Sequence, residues 1–597
     1  MTNMTLKYAL MVGAAVVAAS GVGTLMAPTG PDKAGLPFID PLVMNQAVCS
    51  SADPRLSRKA AFMRMGYAAA QSAEDVAELD DLAPDTLATV AYKVSTTSEE
   101  AQDWFNRGLA YTFGFNHAAA IEAFKRAQAA DRNCAMCYWG EAFALGPNIN
   151  APMVDEAYGP AMAAVHQAQR RATNIGEAER ALIMAIGSRY EAQPLEDRSS
   201  LDAAFADAME EVAQRFPDDD LVAVIAAEAN MDTQPWAYWD ATGRVPQGRT
   251  ERTVELLESV MARNPNYPPA IHLYIHITEA STDPFRAAEH ADRLAGLTPD
   301  LGHLVHMPSH TYFRIGRWKQ SLEHNIEAVA ADEAFLAAHE ASPLYQFGYF
   351  THNIHFAMTS AQMGGDRNTA LEMANKLDEK LPIEMAATQA WIQPIKASPY
   401  YTMVQFADPQ DILELPDPGD ALPYLQGAWH YARGEALARL GRTAEARSEA
   451  QALETLLSAD HSALEGGGVP ATGVLDLSRH TVLARAAAAD GDLDTAIAHM
   501  EEAVALQESF PYTEPPYWYY PAKQTLAAMV LRSGDGERAE QLFMETLVYS
   551  PNNAYAYFGL SEAYRVQSDR RAGRYAKRLY RDAWLGSRGY KPSLTRL

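Results

Sequence analysis

The feature that most constrains the fold is a regular spacing of small and aromatic residues in residues 101–131, which read "AQDWFNRGLAYTFGFNHAAAIEAFKRAQAAD". The spaced positions are Trp104, Gly108, Tyr111, Ala120, Phe124 and Ala127. Small residues allow two helices to cross closely, and aromatic residues fill the space between them. A helix–turn–helix unit that stacks on copies of itself needs both. The spacing therefore predicts a repeat of antiparallel helix pairs.

Similar units recur around Gly365, Gly441, Gly491 and Gly534. Together they resemble the tetratricopeptide repeat, whose 34-residue pattern contains W-x2-L-G-x2-Y, A-x3-F and a final proline. The resemblance covers most of residues 101–580 and implies an all-α, right-handed solenoid with irregular insertions. It also implies a concave groove lined by the first helix of each pair. Such proteins usually mediate protein interactions, so the resemblance implies a protein or peptide partner in this groove.

The N-terminus predicts export. Lys7 precedes an uncharged, largely apolar run from Tyr8 to Pro28, as in a secretory signal peptide. The run is also about long enough to remain as a membrane anchor. We expect an exported, periplasmic protein without further membrane spans. The predicted regions are 1–27 (signal peptide or N-terminal anchor), 28–100 (N-terminal extension), 101–395 (repeats with a histidine-rich groove) and 420–597 (C-terminal repeat array).

Charge and cysteine content exclude several classes of protein. The chain carries a net charge of −27, which argues against a nucleic-acid partner because binding to phosphates requires basic surface. The three cysteines are too few for a disulfide scaffold. Cys134 and Cys137 can form a disulfide in an exported protein or join His117 in a metal site. Ordinary repeat packing is the favoured interpretation of these three residues.

Histidines follow the period of the repeat. Ten of the 16 histidines fall between His272 and His355. His306 follows His272 by 34 residues, and His310 follows His276 by the same 34. The two pairs therefore occupy equivalent positions on neighbouring groove-lining helices.

A third helix extends the stripe with His352 and His355, registered on Gly365. Residues three or four apart on a helix lie about 5–6 Å apart, and packed helices lie about 8–10 Å apart. Imidazoles on such a frame can meet at one ion or at two nearby ions. The predicted ligands are His272, His276, His303, His306, His310, His352 and His355.

Imidazole ligands favour copper, zinc or iron over calcium and magnesium, and Glu279 is a nearby carboxylate. Seven histidines exceed what one tetrahedral zinc needs. Either two metals bind, or some histidines orient ligands or transfer protons. An all-histidine pair of sites suits copper and oxygen chemistry, whereas an open zinc or iron site suits hydrolysis. The alternatives are a metal-free histidine cluster that binds a small-molecule substrate, an incidental cluster, and a peptide-binding scaffold, so enzymatic activity stays undecided.

Two local features bear on the groove. The segment "DTQPWAYWDATGR" places Trp236 and Trp239 in one loop, which can cap the groove, stack on a ligand or cover exposed core. Pro308 lies inside the histidine motif "HLVHMPSH". Because proline favours the first turn of a helix, a helix is expected to start there, which would displace His303 and His306.

Overall fold

The computed structural model describes residues 82–195, 197–240, 242–339, 341–587 and 589–597. The described part of the chain is helical, and its β-bridges are two isolated ones, between Asn148 and Ala151 and between Trp239 and Pro246. The predicted all-α solenoid is thereby confirmed.

The described α-helices, numbered in chain order, follow. They are α1 Pro84–Val90, α2 Glu99–Phe113, α3 His117–Ala130, α4 Ala135–Ala144, α5 Tyr158–Arg171, α6 Glu177–Ala185, α7 Ser199–Arg215, α8 Asp220–Asp232, α9 Thr250–Arg263, α10 Pro268–Glu279, α11 Ala288–Leu297, α12 Gly302–His306, α13 Pro308–Ile315, α14 Trp318–Ala338, α15 Phe350–Gly364, α16 Arg367–Lys380, α17 Ile383–Thr388, α18 Gln393–Phe406, α19 Pro409–Leu413, α20 Pro423–Arg439, α21 Thr443–Leu456, α22 Ser462–Glu465, α23 Ala471–Asp490, α24 Leu493–Glu508, α25 Ala522–Arg532, α26 Gly536–Tyr549, α27 Ala554–Val566 and α28 Arg570–Ala583.

The predicted signal peptide, residues 1–27, lies outside the described residues, as do Cys49 and most of the predicted extension 28–100. Among the helices that the structure describes, none has both the length and the apolar character needed to cross a membrane. The predicted region boundaries stay predictions.

The first repeat shows why small residues recur at helix crossings. Phe124 on α3 is fully buried between α2 and α4. A Cβ atom added at Gly108 would lie 2.5 Å from the Phe124 ring, and one added at Gly140 would lie 2.3 Å from it. Both distances are well below van der Waals contact, so only glycine lets the two flanking helices approach the ring. The spacing in the sequence thus encodes the packing of the pair.

The apolar interior forms two main cores. The first core runs from Leu82 to Tyr349 and the second from Leu322 to Leu597. We call these two parts of the solenoid the first half and the second half. They overlap at α14, whose Leu322 and Val329 belong to the second core and whose Phe335 belongs to the first.

A part of the second half that is distant in sequence also contacts the region of this overlap. Trp318 Nε1 donates a hydrogen bond to the Pro551 carbonyl at 3.1 Å, and Asn552 Nδ2 donates to the Gly316 carbonyl at 3.3 Å. Gly316 ends α13 with a φ of +73°, and a Cβ atom there would lie 2.0 Å from the Pro551 oxygen. The second half therefore curves back onto the end of α13 and the start of α14.

Candidate metal centre

Six of the seven predicted histidine ligands converge in two adjoining groups. In each group, one ring nitrogen of every histidine lies within 4.8 Å of one from each of the others. The first triad is His272, His276 and His303, and the second triad is His306, His310 and His352. The triads adjoin, because the ring centroids of His276 and His310 are 5.4 Å apart and those of His303 and His306 are 5.9 Å apart. Four short or medium helices, α10, α12, α13 and α15, carry these residues.

The proline in the motif divides one helix into two without removing its histidines from the site. A helix does begin at Pro308, as expected. Met307 nevertheless keeps helical angles, with φ −51° and ψ −37°, and its N–H donates to the His303 carbonyl at 3.0 Å. The backbone therefore continues in nearly the same direction, and the expected displacement of His303 and His306 does not occur.

Glu279 connects the two triads. His276 Nδ1 donates to Glu279 Oε1 at 2.9 Å, and His310 Nδ1 donates to Glu279 Oε2 at 2.7 Å. Because an ionised carboxylate can only accept, each ring carries a proton on Nδ1, and its Nε2 presents a lone pair whenever the ring is neutral. A carboxylate that holds the far nitrogen of a histidine is the usual partner of metal-ligating imidazoles. Glu279 thus orients one ligand in each triad.

His306 is oriented in the same way by an amide. Its Nδ1 donates to Asn325 Oδ1 at 2.6 Å. Asn325 Nδ2 donates to the Ser321 carbonyl and to Ser309 Oγ at 2.6 and 2.7 Å, which fixes the direction of the amide. His306 Nε2 therefore also presents a lone pair, and it lies 2.8 Å from His310 Nε2. Two lone pairs at this distance repel unless a proton or a cation bridges them or lies beside them.

The first triad contains ring nitrogens that have no hydrogen-bond partner among the described residues. His272 Nε2 and His303 Nε2 lie 3.1 Å apart. Within the part of the chain that the structure describes, His276 Nε2 and His303 Nδ1 are buried without a hydrogen-bond partner. Buried polar atoms are rarely left unpaired, so these nitrogens fit a group that lies between the rings.

Electrostatics keep most of these imidazoles neutral. Burial, reinforced by the neighbouring histidines, holds the pKa values of His272, His303, His306 and His352 well below the ordinary value. Metal ligands must be deprotonated, so a lowered pKa prepares a histidine for metal binding.

Glu279 and His310 form a charged pair beside the neutral rings. Burial alone acts to raise the pKa of Glu279, but His310 and the hydrogen bonds from His276 and His310 lower it to about 2. The pKa of His310 is raised despite burial, because Glu279 faces it. The centre therefore combines neutral imidazoles with one ion pair, Glu279 and His310.

Aromatic side chains wall the two triads. Phe115 lies over the first triad, with ring centroids 4.6 Å from His272 and 4.9 Å from His303. Phe356 lies 4.8 Å from His306 and 4.9 Å from His310. Such rings exclude water and strengthen electrostatic interactions inside the site.

The tryptophan loop caps the first triad. The Trp236 ring meets the His276 ring edge-on at 5.3 Å, and Trp239 Nε1 donates to the Ile277 carbonyl at 2.7 Å. Trp236 and Phe115 both have left-handed backbone, with φ of 65° and 55°. Large residues adopt this conformation only where the surroundings enforce it, typically at functional sites.

Four predicted site residues lie outside the two triads: His355, His117, Cys134 and Cys137. His355 lies outside both triads, with its ring 6.1 Å from the Tyr519 ring. Cys134 and Cys137 form a disulfide, and His117 Nε2 lies 3.2 Å from Asn148 Nδ2. Because both sulfurs are bonded to each other, the three residues do not form a Cys2His metal site.

Sequence reasoning missed residues that the second half contributes. The segment 509–521, "SFPYTEPPYWYYP", connects α24 to α25, and we call it the aromatic loop. Its Tyr512 hydroxyl lies 3.1 Å from Glu279 Oε2 and 2.7 Å from Glu514 Oε1. The density of aromatic residues in this loop is the one signal that could have drawn attention to it. Asn325 and Phe356 carry no comparable signal.

Comparison with known proteins supports the repeat fold. Residues 102–134, which span α2 and α3, match the sequence profile of the tetratricopeptide repeat. No curated protein matches the sequence.

Three solved structures show loose similarity. They are the human IFIT1 dimer with m7Gppp-AAAA (12% identity, 91% of this chain and 98% of that chain, TM-score 0.28), yeast Tom70 (12% identity, 80% and 90%, TM-score 0.27) and the P58(IPK) TPR domain (14% identity, 79% and 99%, TM-score 0.21). At these TM-scores the similarities carry no argument about function.

Proposed function

We propose that this tetratricopeptide-repeat protein binds two transition-metal ions, one in each histidine triad. The observation that carries the proposal is the pair of adjoining three-histidine groups, held by Glu279 and Asn325 so that ring lone pairs face each other. Three nitrogen ligands per ion is the number found at open metal sites, where a further position stays available to a small molecule.

Copper fits this donor set best. Imidazole is a good ligand for copper, zinc and iron, but non-haem iron sites commonly include a carboxylate among their ligands. Here the six candidate ligands are all imidazoles, and Glu279 contacts the rings rather than offering a free oxygen. Burying two doubly charged ions among neutral ligands is unfavourable. Two singly charged copper ions reduce this penalty, and zinc is the next candidate.

A pair of copper ions in adjoining sites suits redox chemistry on a small molecule such as dioxygen. The chain itself would orient the ligands through Glu279 and Asn325 and exclude bulk water through Phe115, Phe356 and Trp236. Storage or delivery of the metal is the alternative role of the same site.

Binding of a protein or peptide is the second candidate function, favoured by the tetratricopeptide repeat at residues 102–134. The concave side near the histidines offers little room for a peptide, since the aromatic loop reaches Glu279 and the tryptophan loop covers His276. A partner would therefore bind on another part of the solenoid.

Export to the periplasm is also a proposal. It is supported by the charged and apolar pattern of the N-terminus. The disulfide between Cys134 and Cys137 agrees with an oxidising compartment.

Elemental analysis of protein purified without a histidine tag tests the metal proposal. We expect about two equivalents of copper or zinc per chain, after purification or after reconstitution with each metal. His276→Ala and His310→Ala should each lose about one equivalent. His324→Ala is the matched control, because His324 lies outside the triads and contacts Glu327. Absence of bound metal after reconstitution with copper and with zinc would refute the proposal.

A further inference from the structure

The aromatic loop brings a second carboxyl group close to the histidine centre. Tyr512 lies between Glu279 on α10 and Glu514 on its own loop, with its hydroxyl oxygen within hydrogen-bond distance of both. Glu514 Oε2 is shielded from solvent and has no hydrogen-bond partner in the described structure. Among the described residues, Glu514 forms no hydrogen bond or ion pair with a histidine of either triad.

The two contacts of Tyr512 require a proton on one carboxyl group. A tyrosine hydroxyl has one proton, so it can donate to one carboxylate at a time. Glu279 is held ionised by two histidine N–H groups. Tyr512 therefore donates to Glu279, and Glu514 must bring its own proton to the remaining contact at 2.7 Å. A proton on Glu514 also removes the cost of a buried, unpaired charge at this carboxyl.

The charged surroundings of Glu514 agree with this assignment. Burial and, to a smaller extent, the charge of Glu279 raise the pKa of Glu514 to about 7, against the opposing effects of Arg314, His310 and the hydrogen bond with Tyr512. Arg314 lies with its guanidinium carbon 5.4 Å from the centre of the Tyr512 ring. These groups, with Tyr512 itself, are the titratable side chains that act on Glu514.

We propose that Glu514 and Tyr512 form a proton path beside the histidine centre, in which Glu514 holds a proton in the metal-free protein and releases it when cations bind. This inference rests on the proposed metal binding. Upon cation binding, the O–H bond of Glu514 breaks, its electron pair stays on the carboxylate, and the proton passes to the solvent. No electron is transferred in this step.

Calorimetric titration with zinc tests the path, because zinc is redox-inert. Metal-free protein is titrated at pH 6 in two buffers of different ionisation enthalpy, which gives the number of protons released per chain. Since the pKa of Glu514 is about 7, Glu514→Gln should release about one proton fewer than the wild type at this pH. Glu537→Gln, which removes an exposed carboxyl in the first turn of α26, should release the wild-type number.

Infrared spectroscopy gives a second readout that does not depend on a folded Glu514 variant. The carbonyl stretch of a protonated carboxyl should be present in the metal-free wild type and disappear when zinc is added. The Tyr512→Phe variant should still bind zinc, but its infrared band should shift or disappear. The phenylalanine has no hydroxyl oxygen to accept a hydrogen bond from the protonated Glu514.

The outcomes separate the two proposals. Normal zinc stoichiometry with an unchanged proton count in Glu514→Gln, or with no infrared band in the wild type, overturns the path and leaves the metal site intact. Failure of the wild-type protein to bind either copper or zinc overturns both.

Discussion

The two triads use the same residue type but are held differently. In the second triad, His306 and His310 are both fixed through Nδ1, by Asn325 and Glu279. In the first triad, Glu279 fixes His276, while His303 Nδ1 has no partner among the described residues. His352 gives the second triad its one partly exposed member, whereas the first triad is wholly buried. The second triad is therefore more preorganised and more accessible than the first, and we expect it to bind its ion first.

The largest effect is expected from Glu279→Gln, because this residue serves both triads. Glutamine offers one acceptor oxygen instead of two and carries no charge. Loss of such partners typically lowers metal affinity 10–100-fold, and here both ions should be affected. Competition with a metal chelator measures the two affinities. An effect confined to one triad would contradict the bridging role.

Asn325→Ala should weaken metal binding at the second triad only. Its amide holds His306 alone among the six candidate ligands, so affinity should fall about 10-fold at the second triad and stay unchanged at the first. Stepwise calorimetric titration resolves the two events. Asn353→Ala removes an amide bonded to Asp332 instead and serves as the control. Equal weakening of both steps would count against independent triads.

The stability of the metal-free protein should fall as the pH is lowered. Histidines with lowered pKa values, such as His303 and His306, stay neutral when folded but take up protons when unfolded below about pH 6.5. Each such histidine should lower the free energy of unfolding by about 1.4 kcal/mol per pH unit in that range.

Other groups modify this pH profile, among them Glu279, His310 and buried carboxyls with raised pKa values such as Glu514. Glu279, with a pKa of about 2, stabilises the fold above about pH 4.5 and loses this effect as the pH falls toward 2. His310, with a raised pKa, stabilises below about pH 6.5 and partly offsets the loss. Thermal unfolding between pH 8 and 5 tests the balance. His303→Gln should flatten the profile, and a wild-type stability that rises toward pH 5 would be inconsistent with neutral buried histidines.

The smallest effect is expected from Phe115→Leu, which thins the wall over the first triad. Because Phe115 contacts His272 and His303 without hydrogen bonds, affinity should change by less than about 10-fold, the lower end of the effect expected for hydrogen-bonded partners. Exchange of the ion in the first triad should become faster, with exchange in the second triad unchanged. Radioactive zinc exchange measures both rates. Faster exchange at both triads would show that they share one entrance.

The sequence predicts the helical repeat and the proximity of six of the seven histidines, because both depend on local spacing; their role as metal ligands stays a prediction. The 34-residue offset places His272 and His306 on neighbouring helices, and the structure brings their triads together. The structure places His355 outside both triads, with its ring 6.1 Å from the Tyr519 ring.

The groups that orient the ligands could not be predicted in the same way. Tyr512 and Glu279 are 233 positions apart, and their contact depends on how the second half curves back. Asn325 lies on α14, which packs against α12 through contacts that no repeat position marks. Long-range curvature results from many small packing angles, and no short motif encodes it.

Anomalous X-ray scattering from crystals of the copper-loaded protein tests the central claim most directly. Two peaks are predicted, one about 2.0 Å from ring nitrogens of His272, His276 and His303, and one at a similar distance from those of His306, His310 and His352. A single peak shared by both triads, or copper bound only away from these histidines, would contradict the account.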